Sequence, residues 1–275
     1  MTSKNNDIAF GKSVLEQEIK GLKALADSLD QSFVCAVEAI SGIDGRVIVT
    51  GMGKSGHIAR KIAATMASTG TPAHFLHPSE ASHGDLGVIT KKDLVLALSN
   101  SGETSELSDI IAYCKRFSIP LIGVARRKGS MLVEAADIAI VLPETPEACV
   151  TGAPTTSTTM MLALGDAISV SLVQRRGFSK EDFSIFHPGG KLGKAFIRVS
   201  ELMHRAGELP LVQEQDVMPD ILLAMTSKRF GCAGVVSENG ELSGIITDGD
   251  LRRNMQPDLL EKRAWEIMKV APLTI

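Results

Sequence analysis

Between residues 10 and 40 the apolar side chains Leu15, Ile19, Leu22, Leu25, Leu29, Phe33 and Val37 recur every three or four positions. That period keeps side chains on one face of an α-helix, so the segment is expected to form one amphipathic helix with a single buried stripe. After Gly42 the texture changes to short, almost wholly apolar runs at 46–50, 73–76, 94–98, 120–124 and 138–142. Because these runs do not alternate apolar with polar, each strand is expected to be covered on both faces. Helical segments lie between most of them, notably 105–117 and 131–136. Five strands joined by helical crossovers predict an α/β fold with a doubly wound, mostly parallel sheet. A long helix over 155–176 follows; its most apolar stretch, 160–173, contains Asp166 and is too short to span a bilayer.

From Val199 onward the pattern shifts. Residues 210–212 precede a helix at 218–226, and a hairpin-like pair, 232–236 and 242–247, is joined by a segment holding Asn239-Gly240, a strong turn signal. Asp248 opens another helical segment. The expected division is a domain over 1–194, a linker at about 189–200, and a small α+β region over 200–275.

A length of 275 residues accommodates two such domains. Aromatic residues make up only 4%, so the core must be built from Ala, Val, Ile, Leu and Met. A net charge of −3 supplies no basic field for nucleic acid, and the densest cationic cluster, Arg126-Arg127-Lys128, reads as a solvated loop. Cys35, Cys114, Cys149 and Cys232 lie far apart with no C-x-x-C pair, and the apolar or small neighbours of Cys35, Cys114 and Cys232 suit reduced, buried thiols. The first residues have no apolar core of a signal peptide. These features together place the chain in the cytosol, with neither nucleic-acid nor membrane partners.

Chemistry concentrates in the turns. Residues 51–56, GMGKSG, follow the first strand. A dinucleotide fold would need an acidic residue some twenty positions on, and 57–79 contains none; a P-loop would need glycine where Ile48 stands. What survives is a helix N-terminus facing an anion, with Gly53 and Ser55 giving access and Lys54 adding charge, or a turn kept small for packing. Ser99, Ser101 and Thr104 flank Gly102 after the third strand and suit phosphate binding, with a plain helix cap as the alternative. Thr155 and Thr156 open the hydroxyl run 155–159 behind Pro154, where capping and substrate contact are both open. His74, His77, Glu80, His83 and Asp85 crowd together, yet no helical i, i+4 His pair or cysteine supports a metal site; polar lining of an active site, by His83 especially, fits better. His187, ahead of Pro188-Gly189-Gly190, is either a catalytic loop histidine or part of a helix-start turn.

With these motifs in order, the chain resembles the sugar isomerase (SIS) domain family, and within it the D-arabinose 5-phosphate isomerases of 3-deoxy-D-manno-octulosonate (Kdo) synthesis. The resemblance runs from about Val14 to Lys194 through GMGKSGHIA (51–59), EASHGDLG (80–87), SNSGETSE (99–106), PEAC (146–149), APTTSTT (153–159), GDA (165–167) and HPGG (187–190). It implies interconversion of ribulose 5-phosphate and arabinose 5-phosphate through an enediolate, with Lys54, Glu106, Glu147 and His187 as the working set and His83 nearby. The chemistry needs a proton-transfer base, an oxyanion donor, a ring-opening group and a phosphate anchor. Glu147 is assigned as base with Glu106 its rival, Lys54 as oxyanion donor and His187 as ring-opening group. Ser99, Ser101 and Thr104 are to hold phosphate, with Ser55 assisting. No cofactor and no required metal follow, though zinc could inhibit at His83. A homotetramer with sites shared between subunits is also implied.

SELMH (200–204) and GIITDGDLRR (244–253) resemble a CBS domain, with Thr247 and Asp250 at the positions that contact ribose. Such proteins usually carry two CBS repeats, and 264–268 reads as the start of the second. The competing readings are a non-catalytic sugar-phosphate sensor and an isomerase for another sugar phosphate, such as a phosphoheptose. The sensor is disfavoured because its usual DNA-binding helical domain does not match the amphipathic N-terminal segment.

Overall fold

The computed structural model describes residues 4–187 and 199–274. The chain divides into two compact units, Met1–Phe196 and Ile197–Ile275. The first is built on strands β1 (Val47–Gly51), β2 (Ala73–Leu76), β3 (Leu94–Leu98), β4 (Leu121–Ala125) and β5 (Ile138–Val141), ordered β2-β1-β3-β4-β5. All neighbours are parallel, as the unbroken apolar runs predict. Alternate residues of one strand enter opposite cores. Val47 and Val49 pack with helices α1 (Lys4–Ser28), α2 (Gln31–Ser41), α3 (Gly53–Ser68) and, late in the chain, α7 (Thr156–Arg176). Ile48 faces the other side, with α4 (Pro78–Ala81), α5 (Ser108–Phe117) and α6 (Met131–Ala135).

Two expectations need correction. The N-terminal segment is two helices, because Asp30 stops α1 and starts α2, its carboxylate accepting from the Ser32 amide at 2.8 Å and from the Ser32 hydroxyl. Nor is its stripe uniformly buried: Leu25 and Val37 enter the core, whereas Leu15 and Ile19 are about 60% exposed and Leu29 is 40% exposed. Contact with α7 is made through Gly21 and Leu25, so Leu15 and Ile19 lie to one side of the seam.

The second correction concerns the apolar stretch at 160–173. It belongs to a 21-residue helix, which by length and composition could cross a membrane. Half of it is nevertheless buried in the first unit, where Met160, Met161, Leu164, Ile168 and Leu172 form the core beside α3. A Cβ at Gly165 would stand 2.3 Å from Ile62, so the close approach of these two helices requires glycine there. After α7 comes α8 (Lys180–Ile185), entered through a capping box between Ser179 and Asp182.

The second unit has a four-stranded sheet, β6 (Leu211–Gln213), β7 (Cys232–Val236), β8 (Leu242–Thr247) and β9 (Lys269–Val270), in that order. The expected hairpin is the antiparallel β7–β8 pair. The helices Met218–Lys228 and Asp248–Arg253 accompany the sheet, and Met218, Ile221, Ala233, Val235 and Ile246 form a separate core. The linker expected at 189–200 lies, but for its last two positions, outside the described residues.

Candidate active site

The site is assembled at the carboxyl edge of the parallel sheet, where ligands of open α/β folds bind. At β1 the chain turns at once into α3. A Cβ at Gly56 would lie 2.5 Å from the Gly51 carbonyl, so the small residues of GMGKSG do serve packing. The same turn is also compatible with the anion reading. Met52 is the N-cap of α3 and has no side chain able to cap, so the first-turn amides of Gly53, Lys54 and Ser55 remain for an outside acceptor. Lys54 is exposed on that turn and Ser55 is half-buried.

The neighbouring strand β3 ends in the hydroxyl loop. Ser99 is buried, and its Oγ receives the Gly102 amide at 2.9 Å and shares a proton with Thr104 Oγ1 at 2.7 Å. Gly102 has φ +72°, and a Cβ there would overlap the Ser130 hydroxyl. Ser99 therefore shapes the loop from within, while Ser101 is exposed and Thr104 half-buried. Glu106 is half-buried in the 3₁₀ turn that follows. Its own backbone amide and the Ser105 hydroxyl, at 2.9 Å, hold its carboxyl below the usual carboxylate range.

Glu147 reaches the same edge along a longer path. Helices α3 and α7 run parallel, tied by Lys61 to Asp166 and by Ile62 against Gly165, so their first turns stand level. The N-cap residue of α7, Thr155, does not cap it with its hydroxyl. The cap is the Glu147 carboxylate: Oε2 accepts from the Thr155 amide at 2.8 Å, the Thr155 hydroxyl at 3.1 Å and the Ser157 amide at 3.2 Å. Burial pushes this carboxyl up, but the adjacent Ser157 hydroxyl and the amides of Thr155 and Ser157 outweigh it and hold the group below its ordinary value. The other oxygen, Oε1, is buried and has no hydrogen-bond partner.

The remaining expected residues differ in exposure. Thr156 is fully buried with its methyl against Gly21 of α1, so it packs the core and is not open to a ligand. His83 is exposed just beyond α4, and His77 caps that helix, its Nδ1 accepting from the Ser79 amide. Among the described residues no three His, Cys, Asp or Glu side chains converge on a common point, His74, His77, Glu80, His83 and Asp85 included.

His187 follows the end of α8, and the residues after it, on which the helix-start reading depends, lie outside the described residues. Its Nδ1 lies 2.8 Å from the Phe183 carbonyl and its ring stacks on Phe183 at 3.9 Å. Phe186 stacks on Phe178, which abuts Gly70 below the foot of β1 and β2. His187 therefore stands near the C-terminal end of α7, whereas Glu147 caps the N-terminal end of that helix.

In the second unit Thr247 and Asp250 form a capping box, Thr247 N–H to Asp250 Oδ2 at 2.9 Å and Asp250 N–H to Thr247 Oγ1 at 3.3 Å. The Thr247 hydroxyl, chiefly, lowers the Asp250 carboxyl, and Arg253 pairs with it.

Sequence reading missed three functions: the cap supplied by Glu147, the internal role of Ser99 and the anchoring role of Thr155. The eight-residue separation of Glu147 from Thr155 exceeds any local capping pattern, so no sequence signal carried it.

Comparison with known proteins gives an SIS domain over residues 41–171 and a CBS domain over residues 199–257. The arabinose 5-phosphate isomerase KdsD of Salmonella typhi is 47% identical over 262 residues, 94% of this chain and 80% of that protein. An uncharacterized protein of Rickettsia prowazekii is 44% identical over 272 residues, 99% of this chain and 85% of its own length. A solved protein of Escherichia coli CFT073, in complex with arabinose 5-phosphate, is 38% identical with a TM-score of 0.66; 68% of this chain covers all of it.

Proposed function

The chain belongs to the family of SIS-domain arabinose 5-phosphate isomerases, and from that membership we propose that it interconverts D-ribulose 5-phosphate and D-arabinose 5-phosphate in the cytoplasm, supplying Kdo synthesis. The observation that carries the reading is the state of Glu147. One oxygen is fastened by three donors and the other has none. A base that takes a proton from carbon needs a lone pair within reach of it, and Oε1 is the oxygen that accepts no hydrogen bond from Thr155 or the Ser157 amide.

The aldose carries its aldehyde at C1 and a hydrogen on C2. Glu147 removes the C2 proton, the electron pair forms the C1–C2 double bond, and negative charge gathers on O1, where Lys54 stabilises it. O1 then takes a proton, O2 gives one up, and Glu147 returns its proton to C1, leaving the ketose. Glu106 remains the alternative acid–base group. The phosphate lies on the first-turn amides of α3, with Ser55, Ser101 and Thr104 contributing hydroxyls.

His187 opens the furanose ring and moves the proton between O1 and O2, and in its own chain it lies by the C-terminal end of α7 while Glu147 caps the N-terminal end. The site is therefore completed by His187 of the partner subunit in a homotetramer. The exposed apolar residues Ile8, Leu15 and Ile19 of α1 supply an associating face. Four free cysteines suit a reducing compartment. In the second unit Thr247 and Asp250 remain the candidate ribose contacts.

A coupled assay offering arabinose 5-phosphate beside ribulose, heptulose and hexulose phosphates tests this. Turnover of the pentose pair above the others is expected; binding without turnover would make the protein a sensor. The route needs no Lewis acid, so activity should survive exhaustive chelation. Loss on chelation, restored by one divalent ion, would overturn that part.

A further inference from the structure

The hydroxyl of Thr155 makes two contacts that no helix cap explains. It donates to Glu147 Oε2 at 3.1 Å, and it accepts the backbone amide of Ala148, the residue after Glu147, at 3.0 Å. Its own amide is a second donor to the same Oε2, at 2.8 Å. Thr155 thus grips the carboxylate and the chain that carries it at one point, eight residues ahead of itself. The strap from β5 to α7 is also anchored before Glu147, where the Gln17 side chain of α1 donates to the Pro146 carbonyl at 3.1 Å and the Thr145 hydroxyl donates to Met160 Sδ at 3.8 Å. Beyond it the turn is loosely held: Val150 is fully exposed, and Gly152 lies at φ +71° with nothing packed against its Cα.

We propose that Thr155 is a positioning residue for the isomerisation, fixing the Glu147 carboxylate through Oε2 so that Oε1 alone is presented to the carbon acid. The sequence motif leaves this hydroxyl open between capping and substrate contact; the geometry gives it to the Glu147 carboxylate. A fixed carboxylate has lost its rotational freedom before substrate arrives, which is the advantage of a preorganised reactive group. The grip also sets how readily Glu147 protonates, because each donor to Oε2 favours the charged form. No charge enters that balance. The groups facing the carboxylate from α7, Thr155 and Ser157, and the α1 anchor Gln17, are neutral, and the nearby Cys149 thiol is engaged by Thr151 at 3.0 Å.

The inference rests on Glu147 being the base, so its test needs one readout of catalysis and one independent of it. Thr155→Val keeps size and loses both hydroxyl bonds; Thr155→Ser keeps the hydroxyl. In Thr155→Val kcat is expected to fall at least tenfold with KM within about twofold. The acid limb of its pH–rate profile should move up by about one unit, the scale of one hydrogen bond to a charged group. Thr155→Ser should restore both. A rise in KM with an unmoved acid limb would return Thr155 to substrate binding and overturn the proposal, as would unchanged kinetics. Carboxyl-carbon NMR titration of Glu147 in full-length wild type and Thr155→Val reads the same grip without turnover. If the titration midpoint rises in the variant while the wild type turns over no pentose phosphate, the isomerase reading has failed and the grip stands. If the midpoint stays still, the grip itself is refuted. Should Thr155→Val not fold, Thr155→Ala and Thr155→Ser carry the same comparison.

Discussion

At the scale of single residues, Glu147 both caps a 21-residue helix and is the proposed base, and the two roles separate under substitution. Glu147→Gln keeps an oxygen to accept the Thr155 and Ser157 amides, so the thermal midpoint should move little. Turnover should fall by more than ~100-fold, the usual scale of general acid–base catalysis. A large loss of stability with modest loss of turnover would leave Glu147 a cap only. Asp93 gives a pH signature of a different kind. It is 2% exposed and accepts the amides of Arg46 and Thr90, each at 2.7 Å. Burial pushes its carboxyl up, but these hydrogen bonds and the Arg46 charge prevail and lower it. A carboxyl lowered on folding stabilises the protein above the unfolded value near 4 and loses that contribution as pH falls through the folded value. Asp93→Asn should therefore cost about 1.5–3 kcal/mol at pH 7. Its denaturation midpoint should also fall less steeply than the wild type's below pH 4; parallel curves would contradict this.

At the scale of elements, the site depends on two close approaches. Gly165 lets α7 lie against Ile62 of α3, which brings both helix N-termini to one edge. Gly165→Val should destabilise the first unit by about 1–3 kcal/mol, measured by urea unfolding, as overpacked cores do. Gly102 closes the hydroxyl loop in a left-handed conformation against Ser130. Gly102→Ala has no room for its methyl, so KM for the sugar phosphate should rise more than tenfold with the fold retained. An unchanged KM would show that this loop does not hold the phosphate. The single helix expected from apolar spacing failed at Asp30 for a reason legible afterwards: a carboxylate ahead of Ser32 is a helix start, and periodicity alone does not detect it.

At the scale of the whole molecule, the two units have separate cores. The proposed site residues Lys54, Ser101, Thr104, Glu106 and Glu147 all belong to the first unit. With His187 remote in its own chain, activity should require association. Ile19→Asp, placed on the exposed face of α1, is expected to shift the sedimentation profile to smaller species and lower activity together. A monomeric variant with full turnover would refute the shared site.

The amino-acid order alone determined the sheet, because unbroken apolar runs admit only strands covered on both faces, and it marked the glycine and hydroxyl turns by local chemistry. It named Lys54, Glu106, Glu147 and His187 through motif resemblance, without their arrangement. Only the tertiary structure decided that Ser99 and Thr156 point inward, that Glu147 is held by Thr155, and that His187 lies a helix length away. Those outcomes depend on contacts between residues distant in sequence, set by how α3 and α7 pack across the sheet. No local pattern encodes which side of a packed helix a hydroxyl will meet.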